Sequence, residues 1–191
     1  IVVVLESHCS SEQFIQRFKD IPRLCHVIGT DALGPHPTAH PAGGVLLLVS
    51  KLFFPSPPII CTLAPARAAV ITLDTISEGG GCMHLFGIHN FGLRSLPQQW
   101  KSLISSRLSE AIHASHANPR STSCIVLGDW NFVEEGDFTL HARVPLSLVK
   151  HRSNEEINLW RPLLGKLMLL QSSAPTHCWQ DTLAVLDRCY I

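Results

Sequence analysis

Six polar residues of the kinds that hydrolytic sites use lie at or beside the ends of apolar runs, and such runs are typical of buried strands. They are Glu6, His89, Asn90, Asp129, Asn131 and Asp187. If these strand ends share one edge of a sheet sandwich, carboxylates, an imidazole and amides come together there. A carboxylate can bind a metal ion or accept a proton from water, and an imidazole can donate a hydrogen bond to a phosphate oxygen. The sequence therefore predicts a metal-assisted hydrolytic site.

A magnesium site of this kind needs few protein ligands. Mg²⁺ keeps several waters and is usually held by one or two carboxylates together with the phosphates of a substrate. A single Glu6 is therefore a sufficient metal ligand. We predict Mg²⁺ as the cofactor, with Mn²⁺ as the alternative ion.

The strands that position these residues are predicted from hydrophobic periodicity and turn residues. A turn over Ser77–Gly81 predicts a hairpin between two of them, and the last strand contains Asp187. Residues 132–153 are predicted to be mostly loop. The predicted strands are 1–5, 45–50, 68–73, 83–88, 124–127 and 183–191.

Three helices are predicted from capping residues and apolar faces. The capping-box spacing of Ser10 and Gln13 begins a short helix that ends before Pro22. Ser95 is the predicted cap of a longer amphipathic helix with Pro97 in its first turn. A third helix is predicted over Glu155–Leu170, although Pro162 and Gly165 interrupt it.

The order of the predicted elements indicates the fold class. Strands outnumber helices, and regular helical crossovers are absent except over residues 95–118. We therefore predict an α/β fold: a four-layered sandwich of two mainly antiparallel sheets packed face to face, with flanking helices outside. Residues 1–191 are predicted to form a single domain.

The motifs resemble, in order, those of the endonuclease/exonuclease/phosphatase superfamily. That superfamily includes apurinic endonucleases, endonuclease domains of non-LTR retrotransposons, inositol polyphosphate phosphatases and neutral sphingomyelinases. The matching segments are a Glu-bearing strand at 3–6, a glycine-led strand at 43–49, a His-bearing strand end at 88–90, a G-D-x-N strand at 125–131, and closing Thr and Asp-Arg segments at 175–177 and 186–188.

The resemblance implies a role for each candidate residue. Glu6 is the metal ligand, and Asp129 takes a proton from the attacking water. Asn131 and His89 hold phosphate oxygens, and Asn90 beside His89 is implied to bind substrate. Asp187 orients the His of a closing Ser-Asp-His motif.

The resemblance also implies that the domain is incomplete at both termini. The superfamily has an Asn on a strand that precedes the Glu-bearing strand, and it closes with Ser-Asp-His after one further strand. Neither element is present in these 191 residues. The expectation is that this chain alone is close to inactive.

The function implied is a Mg²⁺-dependent phosphodiester hydrolase with a nucleic-acid substrate, foremost a DNA endonuclease domain of a retrotransposon-like element. Two alternatives stay open at this point. One is a phosphatase or sphingomyelinase-type phosphoesterase of the same superfamily, and the other is a non-catalytic remnant.

Composition narrows the setting of this function. Fifteen Lys and Arg balance fifteen Asp and Glu, so no net positive charge attracts nucleic acid. Seven cysteines without a C-x-x-C pair indicate a reducing compartment, and the predicted location is intracellular, nuclear or cytoplasmic. No apolar run approaches the roughly 20 residues that span a bilayer, so no membrane partner is predicted. The sequence leaves the oligomeric state undetermined.

Overall fold

The computed structural model describes residues 1–32, 43–75, 80–90, 97–130, 139–141, 154–170, 177–179, 182–184 and 187–191. The helices in this part of the chain are α1 (Ser11–Arg17), α2 (Ile21–Leu24), α3 (Gln98–Ala117) and α4 (Asn154–Leu164). The strands are β1 (Val2–Leu5), β2 (Cys25–Thr30), β3 (Val45–Ser50), β4 (Ile59–Ala64), β5 (Ala68–Thr75), β6 (Gly81–His89), β7 (Thr122–Asp129), β8 (Thr139–His141), β9 (Leu169–Leu170), β10 (His177–Trp179), β11 (Thr182–Ala184) and β12 (Asp187–Tyr190).

The first sheet has three antiparallel strands in the order β1-β3-β2. Its central strand β3 is apolar along nearly its whole length, and all of its residues except Ser50 are buried. A central strand covered on both faces needs such a sequence, whereas an edge strand tolerates polar residues. Helices α1 and α2 pack against β2 at the edge of this sheet.

The second sheet has six strands in the order β4-β5-β6-β7-β12-β9. All neighbours are antiparallel except β6 and β7, which are parallel and are connected through α3. A parallel pair needs such a crossover because both strands must run in the same direction. A small third sheet is formed by β10, β11 and β8.

Two apolar layers hold the sandwich together. One lies between the two sheets and contains Val45, Leu47, Val49, Ala69, Ile71, Leu73 and Leu85. The other lies between the second sheet and helices α3 and α4, and its members include Phe86, Ile104, Leu108, Trp130 and Trp160. The predicted fold class, two mainly antiparallel sheets with flanking helices, is therefore confirmed.

Most predicted elements are present, with corrections at their ends. Helix α3 begins at Gln98 with Pro97 as its N-cap, so Ser95 is not the cap and itself lies outside the described residues. Helix α4 ends at Leu164, before Gly165, although it includes Pro162. Within the predicted loop 132–153, residues 139–141 form β8, and residues 132–138 and 142–153 lie outside the described part.

The predicted strand 183–191 is wrong as a single element. The chain there forms β11 in the small sheet and then β12 in the six-stranded sheet. An apolar pattern reports burial and does not show that the chain passes from one sheet to another. The predicted hairpin between β5 and β6 is present, but residues 76–79 of its turn lie outside the described chain. In the described helices, no segment is both long and apolar enough to cross a bilayer.

Candidate functional site

His89 and Asp129 occupy matching positions at the carboxyl ends of neighbouring strands. In the parallel pair β6–β7 the two residues are register partners. Alternate residues of a strand face opposite sides. On β7, Ile125 and Leu127 pack into the layer between the two sheets, and Asp129 continues their side. The imidazole and the carboxylate therefore both face the first sheet.

Asp187 is brought to the same edge by an antiparallel strand. It is the register partner of Asp129 in the antiparallel pair β7–β12. Asp187 therefore lies at the start of its strand, whereas the sequence had suggested a carboxyl end. For Asp187 the structure describes the backbone only, and Asn131 lies outside the described residues. The backbone places Asp129 between His89 on one side and Asp187 on the other.

Glu6 reaches this edge from the first sheet. It follows β1, and its Oε1 lies 3.2 Å from Nε2 of His89. The Glu6 carboxylate is 47% exposed, whereas the His89 side chain is 0% exposed. The Glu6 backbone has a φ of 52°, in the left-handed region that non-glycine residues seldom adopt. The first sheet thus supplies Glu6 and the second supplies His89. The contact between them is open to solvent only on the Glu6 side.

Glycines at the start of β3 fix the segment that contains Glu6. The N–H groups of Ser7 and His8 donate to the carbonyl oxygens of Gly44 and Gly43, at 3.3 and 2.9 Å. The N–H of Gly44 in turn donates to the carbonyl of Ala66 at 2.9 Å. Both glycines have a positive φ, 76° for Gly43 and 94° for Gly44, and a side chain would be strained in this region. This pair therefore joins the Glu6 segment to the turn between β4 and β5.

That turn contributes a basic residue, Arg67, which the sequence prediction missed. Its Nη1 lies 2.7 Å from Nδ1 of His89, and its backbone carbonyl accepts from the His89 N–H, also at 2.7 Å. The guanidinium of Arg67 can only donate hydrogen bonds, so Nδ1 of His89 must be the acceptor. The proton of the neutral His89 ring is therefore on Nε2, which faces Glu6. Arg67 is the only charged residue between Ile59 and Leu73, and this isolation in an apolar segment was the available signal.

Burial decides the charge of the imidazole. It lowers the pKa of His89 to about 4, while the nearby Glu6 carboxylate acts in the opposite direction and Arg67 lowers the pKa further. Burial also lowers the pKa of Arg67, which the Glu6 carboxylate partly offsets. At neutral pH His89 is therefore an uncharged ring between a cation and an anion.

Asn90 lies in a buried hydrogen-bond network, and its role in substrate binding stays a prediction. It is 1% exposed. Its Nδ2 donates to the carbonyl of Trp130 at 2.6 Å, and its Oδ1 accepts from the Trp160 indole at 2.9 Å. Its backbone N–H donates to the Asp129 carbonyl at 2.9 Å. This geometry favours a positioning role for Asn90, which connects β6, the end of β7 and α4, over direct contact with substrate.

An aromatic cluster surrounds Trp130, the residue that follows Asp129. The ring of Trp130 packs edge-on against Trp160 and Tyr190, with centroids 5.2 and 5.6 Å apart. The backbone before it passes close by, because a Cβ on Gly128 would lie 2.8 Å from the Ile88 carbonyl oxygen and 2.9 Å from the Trp130 ring. The glycine of the G-D-x-N motif, directly before Asp129, is thus required by packing.

The described residues are compatible with a lightly coordinated magnesium ion. Among them, no group of three or more His, Cys, Asp or Glu side chains lies close enough together to enclose a metal. Mg²⁺ does not need such a group, because water and substrate oxygens complete its coordination. The Glu6 carboxylate is a hard oxygen donor, half exposed at the edge where Asp129 also lies, and it fits this requirement.

Comparison with known proteins identifies the fold. No protein-family model and no curated protein matches the sequence. Two crystal structures of ANGEL2, a 2′,3′-cyclic phosphatase, cover 98% of this chain and 68% of their own at 14% identity. Their TM-scores are 0.55 for the complex with adenosine-2′,3′-vanadate and 0.53 for the other structure. TDP2 from C. elegans covers 98% of this chain and 53% of its own, at 13% identity and a TM-score of 0.46.

The fold correspondence depends on ANGEL2, because both of its structures have TM-scores above 0.5. This chain therefore shares the fold of ANGEL2. A shared fold does not by itself assign a reaction, so the function must be argued from the site.

Proposed function

We propose that this chain is a metal-dependent phosphodiester hydrolase domain whose substrate is a nucleic acid or a nucleotide. The observation that supports this most directly is the contact of Glu6 with His89 across the two sheets, with Arg67 behind the imidazole and Asp129 beside it. A carboxylate for a metal, a cation for a phosphate and a second carboxylate for a water molecule then lie at one edge. This is the set of groups that phosphodiester hydrolysis needs.

In the proposed site Glu6 would hold Mg²⁺, and the ion when bound would supply positive charge near the phosphoryl oxygens. Asp129 accepts the proton of the attacking water, the role of a general base. Arg67 supplies a fixed positive charge at the same edge. Because this charge is already in position, no reorganisation is needed as negative charge develops on the phosphoryl group.

His89 has two tasks in this proposal. Its Nδ1 accepts from Arg67 and so fixes the guanidinium, and its protonated Nε2 faces Glu6. Because the His89 side chain is fully buried, a phosphate oxygen would reach Nε2 only where the Glu6 carboxylate turns away from it toward the metal. The roles proposed for Asn131, as a phosphate contact, and for Asp187, as the residue that orients a histidine, follow from the motif resemblance.

The fold neighbour favours one substrate and the motif order another. ANGEL2 is a 2′,3′-cyclic phosphatase, which favours a cyclic nucleotide phosphodiester. The order of motifs led to a DNA endonuclease of a retrotransposon-like element as the finer prediction. Both substrates present a phosphodiester to the same residues, so the surrounding loops must distinguish them.

Binding measurements test the proposal without depending on turnover. Adenosine 2′,3′-cyclic phosphate and a short DNA duplex are each titrated into the chain, once with Mg²⁺ and once with EDTA. Binding is measured by calorimetry and by tryptophan fluorescence, to which Trp130 and Trp160 contribute. We expect at least one of them to bind about 10-fold more tightly with Mg²⁺, because the ion offsets the repulsion between the Glu6 carboxylate and the anionic phosphate. The Glu6→Gln variant should lose this difference.

Glu12→Gln is the matched control, because Glu12 is an exposed carboxylate in the first turn of α1. It should bind as the unmodified chain does. If neither ligand shows a Mg²⁺-dependent affinity, or if Glu6→Gln and Glu12→Gln behave alike, the proposal is wrong. A preference for the cyclic nucleotide over DNA, or the reverse, identifies the substrate.

A further inference from the structure

A second polar cluster lies on β6, far from the Glu6–His89 contact. Cys82 and His84 are two residues apart and share the face of β6 that packs toward α3, since Phe86 on that face belongs to the core under the helices. His89 lies five positions after His84 on β6, which corresponds to roughly 17 Å along a strand. The two clusters are therefore independent.

The cluster has the order of a nucleophile, a base and a residue that orients the base. The Sγ of Cys82 lies 3.6 Å from Nε2 of His84. Nδ1 of the same ring lies 3.2 Å from Oγ1 of Thr72, its register partner on β5. With its proton on Nδ1, the ring donates to Thr72 and presents Nε2 as an acceptor to the thiol. The sulfur has a longer contact, 3.9 Å, with Oγ1 of Thr122.

The imidazole is both uncharged and accessible. Burial lowers the pKa of His84, so the ring is neutral at pH 7 and free to take a proton. It also lines a cavity of about 380 Å³ between the second sheet and α3. Val70 and Phe86 give this cavity an apolar wall, and Thr72 and Cys61 line it as well. A small organic molecule therefore has room beside the base.

We propose that Cys82 is a covalent-modification site for α,β-unsaturated carbonyl compounds, with His84 as its base and Thr72 as a positioning residue. In this step Nε2 of His84 takes the thiol proton, and the sulfur forms a bond to the β-carbon. The π electron pair moves to the α-carbon, which takes the proton back from the imidazolium. A thioether results, His84 is neutral again, and no oxidant or leaving group is needed.

Site-resolved alkylation with acrylamide tests the proposal. The folded chain is treated at pH 7.5, and the rate at each cysteine is followed by mass spectrometry of its peptides. We expect Cys82, which contacts the cavity-lining His84, to react about 10-fold faster than Cys61. Cys61 is half-buried and lines the cavity itself, but its sulfur contacts the Thr62 carbonyl instead of an imidazole. His84→Gln should remove the difference, and Thr72→Val should reduce it while Thr72→Ser retains it.

Two internal controls keep the result interpretable. His113→Gln, on the exposed side of α3, should leave the rate at Cys82 unchanged. Cys124 is 2% exposed and burial raises the pKa of its thiol to about 12, so it reports unfolding by becoming reactive. Equal rates at Cys82 and Cys61 in the unmodified chain would overturn the proposal. So would an unchanged Cys82 rate in folded His84→Gln, or, if that variant unfolds, identical rates in Thr72→Val and Thr72→Ser.

Discussion

The carboxylate of Glu6 and the buried imidazole of His89 meet across the two sheets, with Oε1 3.2 Å from Nε2. Glu6 follows a strand of the first sheet and His89 ends a strand of the second, so the contact forms only when the two sheets pack against each other. Gly87, two residues before His89, allows this closure, because a Cβ there would lie 2.8 Å from the Val45 side chain of the first sheet. The geometry of the candidate site therefore depends on the packing of the two sheets, and a change that weakens this packing also disturbs the site.

Arg67 should matter for phosphate binding, although it is not part of the recognised motifs. Arg67→Gln removes the positive charge and the 2.7 Å contact with Nδ1 of His89. Hydrogen bonds to charged groups contribute about 1.5–3 kcal/mol. We therefore expect a loss of about 10-fold or more in Mg²⁺-dependent affinity for the phosphodiester ligand, measured by calorimetry. Arg107→Gln, on α3, is the control, and equal affinity in both variants would remove Arg67 from the site.

Asn90 should contribute to stability more than to ligand binding. Asn90→Leu leaves the Trp160 indole and the Trp130 carbonyl without their hydrogen bonds to the amide. Each buried polar group that loses its partner costs about 1–3 kcal/mol, so we expect a loss of about 2–4 kcal/mol in urea denaturation. Asn118→Leu, at the exposed end of α3, should change stability by less than about 0.5 kcal/mol. An equally small effect at Asn90 would contradict its positioning role.

Gly44 should not tolerate a side chain. At a φ of 94° its Cβ would collide with Oγ of Ser7, next to Glu6. Gly80 also has a positive φ, 70°, but nothing lies within 4 Å of its Cβ. Gly80→Ala therefore reports backbone strain alone, about 1 kcal/mol, and Gly44→Ala should cost clearly more by thermal denaturation. Similar melting temperatures for the two variants would show that the close approach of Gly44 to Ser7 is not needed.

The half-buried His84 of the cavity should make stability depend on pH. Because burial lowers the pKa of His84 below its usual 6.5, the unfolded chain binds a proton there more readily than the folded chain. The unfolding free energy should therefore decrease as pH falls below about 6.5. His84→Gln should show a shallower decrease between pH 7 and pH 5 than His113→Gln. Parallel curves for the two variants would contradict the assignment.

The sequence predicted the parts of this protein that depend on local pattern. The buried strands β3 and β7 and the capping box of α1 follow from alternation, apolar runs and side-chain capping, all of which act over a few residues. Helix α2 was missed because Pro22 was interpreted as a terminator, whereas proline is also favoured in the first turn of a new helix. Strand β4 is absent from the predicted strands because Pro57 and Pro58, directly before it, are residues typical of a turn.

Long-range pairing could not be predicted in the same way. The order of Glu6, His89 and Asp129 was recognisable, but their register depends on which strands become neighbours. Arg67 reaches the site because one hydrogen bond, from the Gly44 N–H to the Ala66 carbonyl, joins segments that are distant in sequence. The assignment of Asn90 to substrate follows from its place beside His89 and stays a prediction. The contacts of its amide with Trp130 and Trp160 depend on tertiary packing, which a local pattern does not show.

The most direct test of the proposed function is the Mg²⁺ dependence of phosphodiester binding in matched Glu6 variants. The unmodified chain, Glu6→Gln and Glu12→Gln are titrated with adenosine 2′,3′-cyclic phosphate and with a DNA duplex, each in Mg²⁺ and in EDTA. The account predicts that Mg²⁺ tightens binding of at least one ligand about 10-fold in the unmodified chain and in Glu12→Gln, and that Glu6→Gln shows no such gain. A gain of the same size in Glu6→Gln, or none in any of the three, would contradict it.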